Sequence, residues 1–128
     1  MKKYFLLIIF FLLLTSKSYS NNYIFTKIIE LDEPWGSSFI NDSEIIITEK
    51  SGKIKIVSIV LKEVSEIKHN LNFLEVGQGG LLDIIHQDNS LWVSYSENRG
   101  DSKTSTSIAK AQLNKKKLNF KNIFQANP

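Results

Sequence analysis

The segment best equipped for chemistry is Gly77-Gln78-Gly79-Gly80-Leu81-Leu82-Asp83. Glycines flanking one glutamine permit positive φ and let a ligand come close to the backbone. A neutral amide offers both a donor and an acceptor, which suits a sugar hydroxyl. The same residues also make an ordinary tight turn feeding a buried strand, with Gln78 facing solvent. The only histidines are His69 and His86, too far apart in sequence to form a local metal pair. His86 reads as a turn or packing residue rather than a base, and His69 falls in a polar stretch without a clear period. Asp83 reads as a structural carboxylate bonded to a neighbouring loop. Trp35 and Trp92 could stack on sugars, but both lie in strand patterns and read as core. Arg99-Gly100-Asp101 reads as a loop tip, and Lys115-Lys116-Lys117 as a solvated hairpin end.

Short strands must position these groups. No stretch after Asn21 keeps a helical period; β-branched runs bounded by turn residues recur instead. Strands are expected over 23–31, 35–40, 44–49, 53–60, 81–85, 91–96, 105–113 and 118–124, with 62–72 unassigned. The Lys/Ile alternation at Lys53-Ile54-Lys55-Ile56 marks a half-buried strand. About eight strands at this spacing fit an all-β sandwich, barrel or propeller. A four-stranded blade takes roughly 40–50 residues, so a propeller reading allows about two blades. Such a piece leaves an apolar inter-blade face and a strand edge uncovered, and is expected to be poorly stable alone.

Charge and composition narrow the function classes. The chain has 128 residues and a formal charge of +3. Lys2, Lys3 and Lys17 carry all of it, leaving residues 21–128 with thirteen basic and thirteen acidic side chains. A neutral remainder gives no ground for a polybasic nucleic-acid binder. Without cysteine there are no disulfides, thiolate zinc sites or thiol nucleophiles. Met1-Lys2-Lys3, the apolar run Tyr4 to Leu14 and Ser18-Tyr19-Ser20 have the layout of a cleavable secretory signal peptide over residues 1–20. Eleven apolar residues span only ~16 Å as a helix, too short for a stable membrane anchor. A periplasmic or secreted domain over 21–128 is therefore expected.

The order of segments resembles the N-terminal part of the soluble aldose sugar dehydrogenases dependent on pyrroloquinoline quinone (PQQ), the glucose/sorbosone dehydrogenase family. The resemblance runs through Pro34-Trp35-Gly36, Thr48-Glu49-Lys50-Ser51-Gly52-Lys53-Ile54, and Gly77 to Asp83, the last without change. It continues through His86-Gln87-Asp88, Val93-Ser94-Tyr95-Ser96-Glu97, Thr106 to Leu113, and Ile123-Phe124-Gln125 with Pro128. Lys50 and Lys110 stand where the family has arginine, which removes bidentate contacts there.

The resemblance implies the first two blades of a six-bladed β-propeller, incomplete here. It implies a protein that oxidises the C1 hydroxyl of an aldose to a lactone, with hydride passing to PQQ and then electrons to an external acceptor. Gln78 is implied as a substrate-binding residue at the rim of the PQQ and sugar site. Calcium is implied beside PQQ, with most ligands outside this chain. The family's catalytic histidine is expected C-terminal to Pro128, so the chain alone is expected to be inactive. The alternative is a non-catalytic β-propeller module that binds a carbohydrate or a protein.

Overall fold

A computed structural model describes residues 22–127. The leader assigned to residues 1–20 lies outside them. The described residues form nine strands and no helix: β1 (Pro34–Asn41), β2 (Glu44–Glu49), β3 (Ile54–Ser58), β4 (Glu63–His69), β5 (Leu81–Gln87), β6 (Ser90–Asn98), β7 (Thr104–Gln112), β8 (Lys117–Leu118) and β9 (Lys121–Gln125). The first sheet has the order β1-β2-β3-β4-β8 and the second β5-β6-β7-β9. Apart from the parallel pair β4–β8, neighbouring strands are antiparallel.

Most elements form where their residue types place them. β2 is a β-branched run closed by glutamates. In β3 the inward Ile54 and Ile56 are buried while Lys55 is half-buried. The β5–β6 hairpin turns on Asp88 and Asn89 at φ 47° and 59°, the left-handed pair of a type I′ turn. Three expectations differ. Residues 22–31 form no strand, and Tyr23, Ile24 and Phe25 are exposed; β-propensity is realised only against a partner strand, and none lies beside them among the described residues. Residues 62–72 contain β4, whose pattern is faint because Ile67 alone is buried. The run 118–124 divides: Leu118 belongs to the first sheet through β8, while β9 joins the second. Leu118 and Phe120 both turn into the core, so this stretch ties the sheets together.

The sheets pack face to face through one apolar core. Ile46, Ile54, Ile56 and Ile67 of the first sheet meet Ile84, Leu91, Val93, Tyr95 and Ala109 of the second. The first strands β1 and β5 lie against one another. Gly36 makes that approach possible, because a Cβ there would sit 2.6 Å from the Cα of Asp83. Thr48 Oγ1 accepts from Gly36 N (3.1 Å) and donates to the Leu82 carbonyl (2.5 Å), joining β1, β2 and β5.

The two hairpins share a register. Asn41 faces Glu44 in one and Gln87 faces Ser90 in the other, so Ile46 and Trp92 hold the same place in their sheets. Ile46 points into the core, but Trp92 lines a groove on the outward face. The sheets are stacked facing the same way, presenting opposite faces to their shared core. The outward faces remain apolar: Phe39 is 62% exposed on the first sheet and Ile85 54% on the second. Neither tryptophan is core, since Trp35 is 50% exposed and Trp92 only half-buried. The reason is shared: each sits on a face that no second layer covers among the described residues.

Candidate functional site

One end of the stack gathers the turn after β2, the connection 70–80 between the sheets, and the turn 99–103 after β6. The connection is held from both sides. Gly80 has φ +139°, and a Cβ there would lie 2.1 Å from the Lys50 carbonyl oxygen. Glycine is required at that contact. Ser96 N donates to the Gly80 carbonyl at 2.8 Å, and Gly79 N donates to the Val76 carbonyl at 2.8 Å, closing the turn that carries Gln78. Gln78 is exposed at the tip. The glycines thus serve the seating of the loop, and the amide is left presented to solvent at this end.

His69 anchors the start of the same connection. Its Nε2 lies 2.6 Å from the Gly52 carbonyl, while Nδ1 accepts the Leu71 N–H at 3.2 Å. It is half-buried at the end of β4, not in a loose polar stretch. His86 lies within β5 rather than in a turn; its Nδ1 is 3.3 Å from the Phe39 carbonyl, tying β5 to β1. Both histidine rings are engaged with backbone groups. Asp83 is exposed and its Oδ1 accepts the adjoining Ile84 N–H at 2.9 Å, a bond within its own strand rather than to a neighbouring loop.

Two buried carboxylates brace this end. Glu97 accepts from Ser107 Oγ (2.6 Å), Asn122 Nδ2 (2.9 Å) and Gln125 Nε2 (2.9 Å), and pairs with Arg99 at 3.0 Å. Burial pushes the Glu97 carboxyl up, but these donors outweigh it and hold the group below its ordinary value. Tyr95 donates to Asn122 Oδ1 at 2.7 Å; burial raises its phenol despite that bond. Arg99 also donates to Ser105, Ser107 and the Ala126 carbonyl. It is a strut, not a free loop tip. Glu49 Oε1 accepts from Lys55 Nζ (2.7 Å) and Asp32 N (2.9 Å). Burial raises this carboxyl, and Lys55 with Asp32 N–H more than reverse it.

Sequence spacing could not reveal the Glu97 cluster. Residues 97, 107, 122 and 125 meet only through the β6–β7–β9 register. The sole signal was a glutamate, an asparagine and a glutamine placed within otherwise strand-like runs.

The described residues do not by themselves fit PQQ or calcium. PQQ is a planar polyanion and needs several cations, yet Arg99 is consumed by Glu97 and Lys50 lies 4.0 Å from Glu75, which leaves the exposed Lys53 and Lys103 of the flanking turns. Among the described residues no cluster of three His, Cys, Asp or Glu could hold a metal ion.

Residues 31–128 match the family model described as glucose/sorbosone dehydrogenase. The chain belongs to the glucose/sorbosone dehydrogenase family. It is 30% identical over 114 residues to the aldose sugar dehydrogenase YliI of Escherichia coli (strain K12), covering 77% of this chain and 29% of that protein. The apo crystal structure of the soluble aldose sugar dehydrogenase from Escherichia coli superposes with a TM-score of 0.69 at 30% identity, over 77% of this chain and 31% of that one. A PQQ-bound aldose sugar dehydrogenase from Streptomyces coelicolor shares the fold, with a TM-score of 0.67 at 16% identity over 77% and 32% of the two chains. The chain spans under a third of the length of these relatives. Its two sheets are two blades of the family's β-propeller, as the sequence implied. No helix among the described residues is long and apolar enough to cross a membrane.

Proposed function

We propose that this chain is the N-terminal part of a PQQ-dependent aldose sugar dehydrogenase, exported by a leader over residues 1–20 and working in the periplasm. The observation that carries the reading is Gln78. It stands exposed on a glycine-seated loop at one end of the blades, in a segment that keeps the family pattern unchanged. Its amide donates to and accepts from a sugar hydroxyl at the mouth of the site. Residues beyond Pro128 supply the base, the calcium ligands and the cations around PQQ. PQQ, held by residues of the remaining blades, would supply the hydride acceptor, and Gln78 would bind and orient the sugar hydroxyl beside it.

The test is a chimera in which residues 31–128 replace the matching third of the Escherichia coli aldose sugar dehydrogenase. With PQQ and calcium it is expected to oxidise glucose with a dye acceptor. Gln78→Ala should lower kcat/KM about 3–10-fold, the range of one neutral hydrogen bond. PQQ absorbance retained by the purified chimera separates a folding failure from a functional one. Full activity in Gln78→Ala would overturn the assignment of Gln78. Turnover by the 128-residue chain alone would overturn the location of the base.

A further inference from the structure

The connection 70–80 grips the turn after β2 with both of its ends. At the start, His69 Nε2 lies 2.6 Å from the Gly52 carbonyl, and Nδ1 faces the Leu71 N–H at 3.2 Å. A carbonyl needs a donor and an N–H needs an acceptor, so these two bonds assign the ring proton to Nε2. Phe73 stands beside the imidazole at 6.1 Å between ring centroids, and Phe120 meets it edge-on at 6.5 Å. Phe73 also lies over Gly52, where φ is +94° and a Cβ would overlap the phenyl ring. At the far end Leu81 N points to the Lys50 carbonyl at 3.4 Å, and Gly80 packs on that same carbonyl. Between the two grips Leu74 N donates to the Ser96 carbonyl at 2.9 Å. What projects is the short turn closed by Val76 and Gly79, with Gln78 exposed in it.

We propose that His69 is a positioning residue for Gln78. Its bond to Gly52 fixes where the connection leaves β4, and the Lys50 contact fixes where it enters β5. Gly52 and Lys50 belong to one turn, closed by Gly52 N donating to the Glu49 carbonyl at 2.9 Å. Both ends of the connection therefore share a single reference, and the span between them sets the height and angle of the Gln78 amide. A hydrogen bond weakens steeply once its donor and acceptor fall out of line, so a loosened seat costs sugar affinity. The imidazole acts through Gln78, with both ring nitrogens engaged on backbone groups. This inference rests on the reading of Gln78 as a sugar ligand.

The test uses the chimera loaded with PQQ and calcium. His69→Asn puts an amide in the place of Nδ1 but is too short to reach Gly52; His69→Gln is long enough to bring an N–H to the place of Nε2. His69→Asn should raise KM for glucose about 2–5-fold with kcat and PQQ content kept, and His69→Gln should restore the parent KM. Added to Gln78→Ala, His69→Asn should change nothing further, because the amide it positions is gone. Hydrogen exchange gives a second readout: peptides over 70–80 should exchange faster in His69→Asn, and peptides elsewhere at the parent rate. A parent KM in His69→Asn, where Gln78→Ala raises it, would overturn this inference alone. So would a His69→Gln variant as weak as His69→Asn, losses that add in the double variant, or PQQ loss with faster exchange throughout, since the histidine would then serve the fold in general. A parent KM in Gln78→Ala would instead sink the sugar reading, and exchange over 70–80 would still decide whether His69 seats the connection.

Discussion

Glu49 and Glu97 lie near the ends of the second strands of their sheets, and both are buried. Their surroundings differ. Glu97 is surrounded by a hydroxyl, two amides and a guanidinium, which engage both of its oxygens. Glu49 has one ammonium and one backbone N–H, both on Oε1, and Oε2 has no partner among the described residues. The second sheet closes its own corner with side chains from β7 and β9. The first relies on β3 and on the segment that leads into β1. A buried carboxylate is secured by the number of donors aimed at it, and that number follows from which strands flank it.

The largest effect should come from breaking the fuller corner. Glu97→Ala strands Arg99, Ser107, Asn122 and Gln125 together, and should cost about 3 kcal/mol by urea denaturation. Glu49→Ala strands only Lys55 and one N–H, and should cost about half as much by the reasoning for an unmet buried partner. Equal losses would dissolve the contrast.

Acid should act next. Both carboxyls are held below their ordinary values in the fold. An unfolded glutamate titrates near about 4.3. The unfolded chain then binds more protons as pH falls, so stability is fully present above that value and is lost through the lower folded values. The double variant Glu49→Gln/Glu97→Gln should be less stable at neutral pH but flatter in its response to acid. Melting curves from pH 6 to pH 3 would check this; an unchanged acid slope would remove these two groups from the account.

The smallest effect should come from an exposed pair. Lys115 reaches Glu44 at 2.6 Å and holds its carboxyl below the ordinary value. Lys115→Ala should cost about 0.2–1 kcal/mol, and less in high salt. A larger loss would mean that surface pairing matters as much as the buried corners.

Much of the fold was legible in the chain. Strand β2 follows directly from Glu44-Ile45-Ile46-Ile47-Thr48-Glu49, and β3 from its Lys/Ile alternation, because period and burial agree there. β4 was not legible, since Glu63, Val64, Ser65 and Glu66 are all exposed and show no apolar period. Residues 23–31 misled in the opposite sense: their types favour a strand, but no strand among the described residues pairs with them. Trp35 and Trp92 were misplaced because strand residency does not say which face is covered. The glycine-rich segment around Gln78 was legible as a loop. Its seating on Lys50 was not, because the contact joins residues thirty positions apart.

The central claim is that Gln78 touches the sugar. The most direct measurement is the crystal structure of the PQQ-loaded chimera with a sugar bound. The account predicts the Gln78 amide within about 3.2 Å of a sugar hydroxyl. A sugar seated with that amide beyond hydrogen-bond reach and no water between them would contradict it.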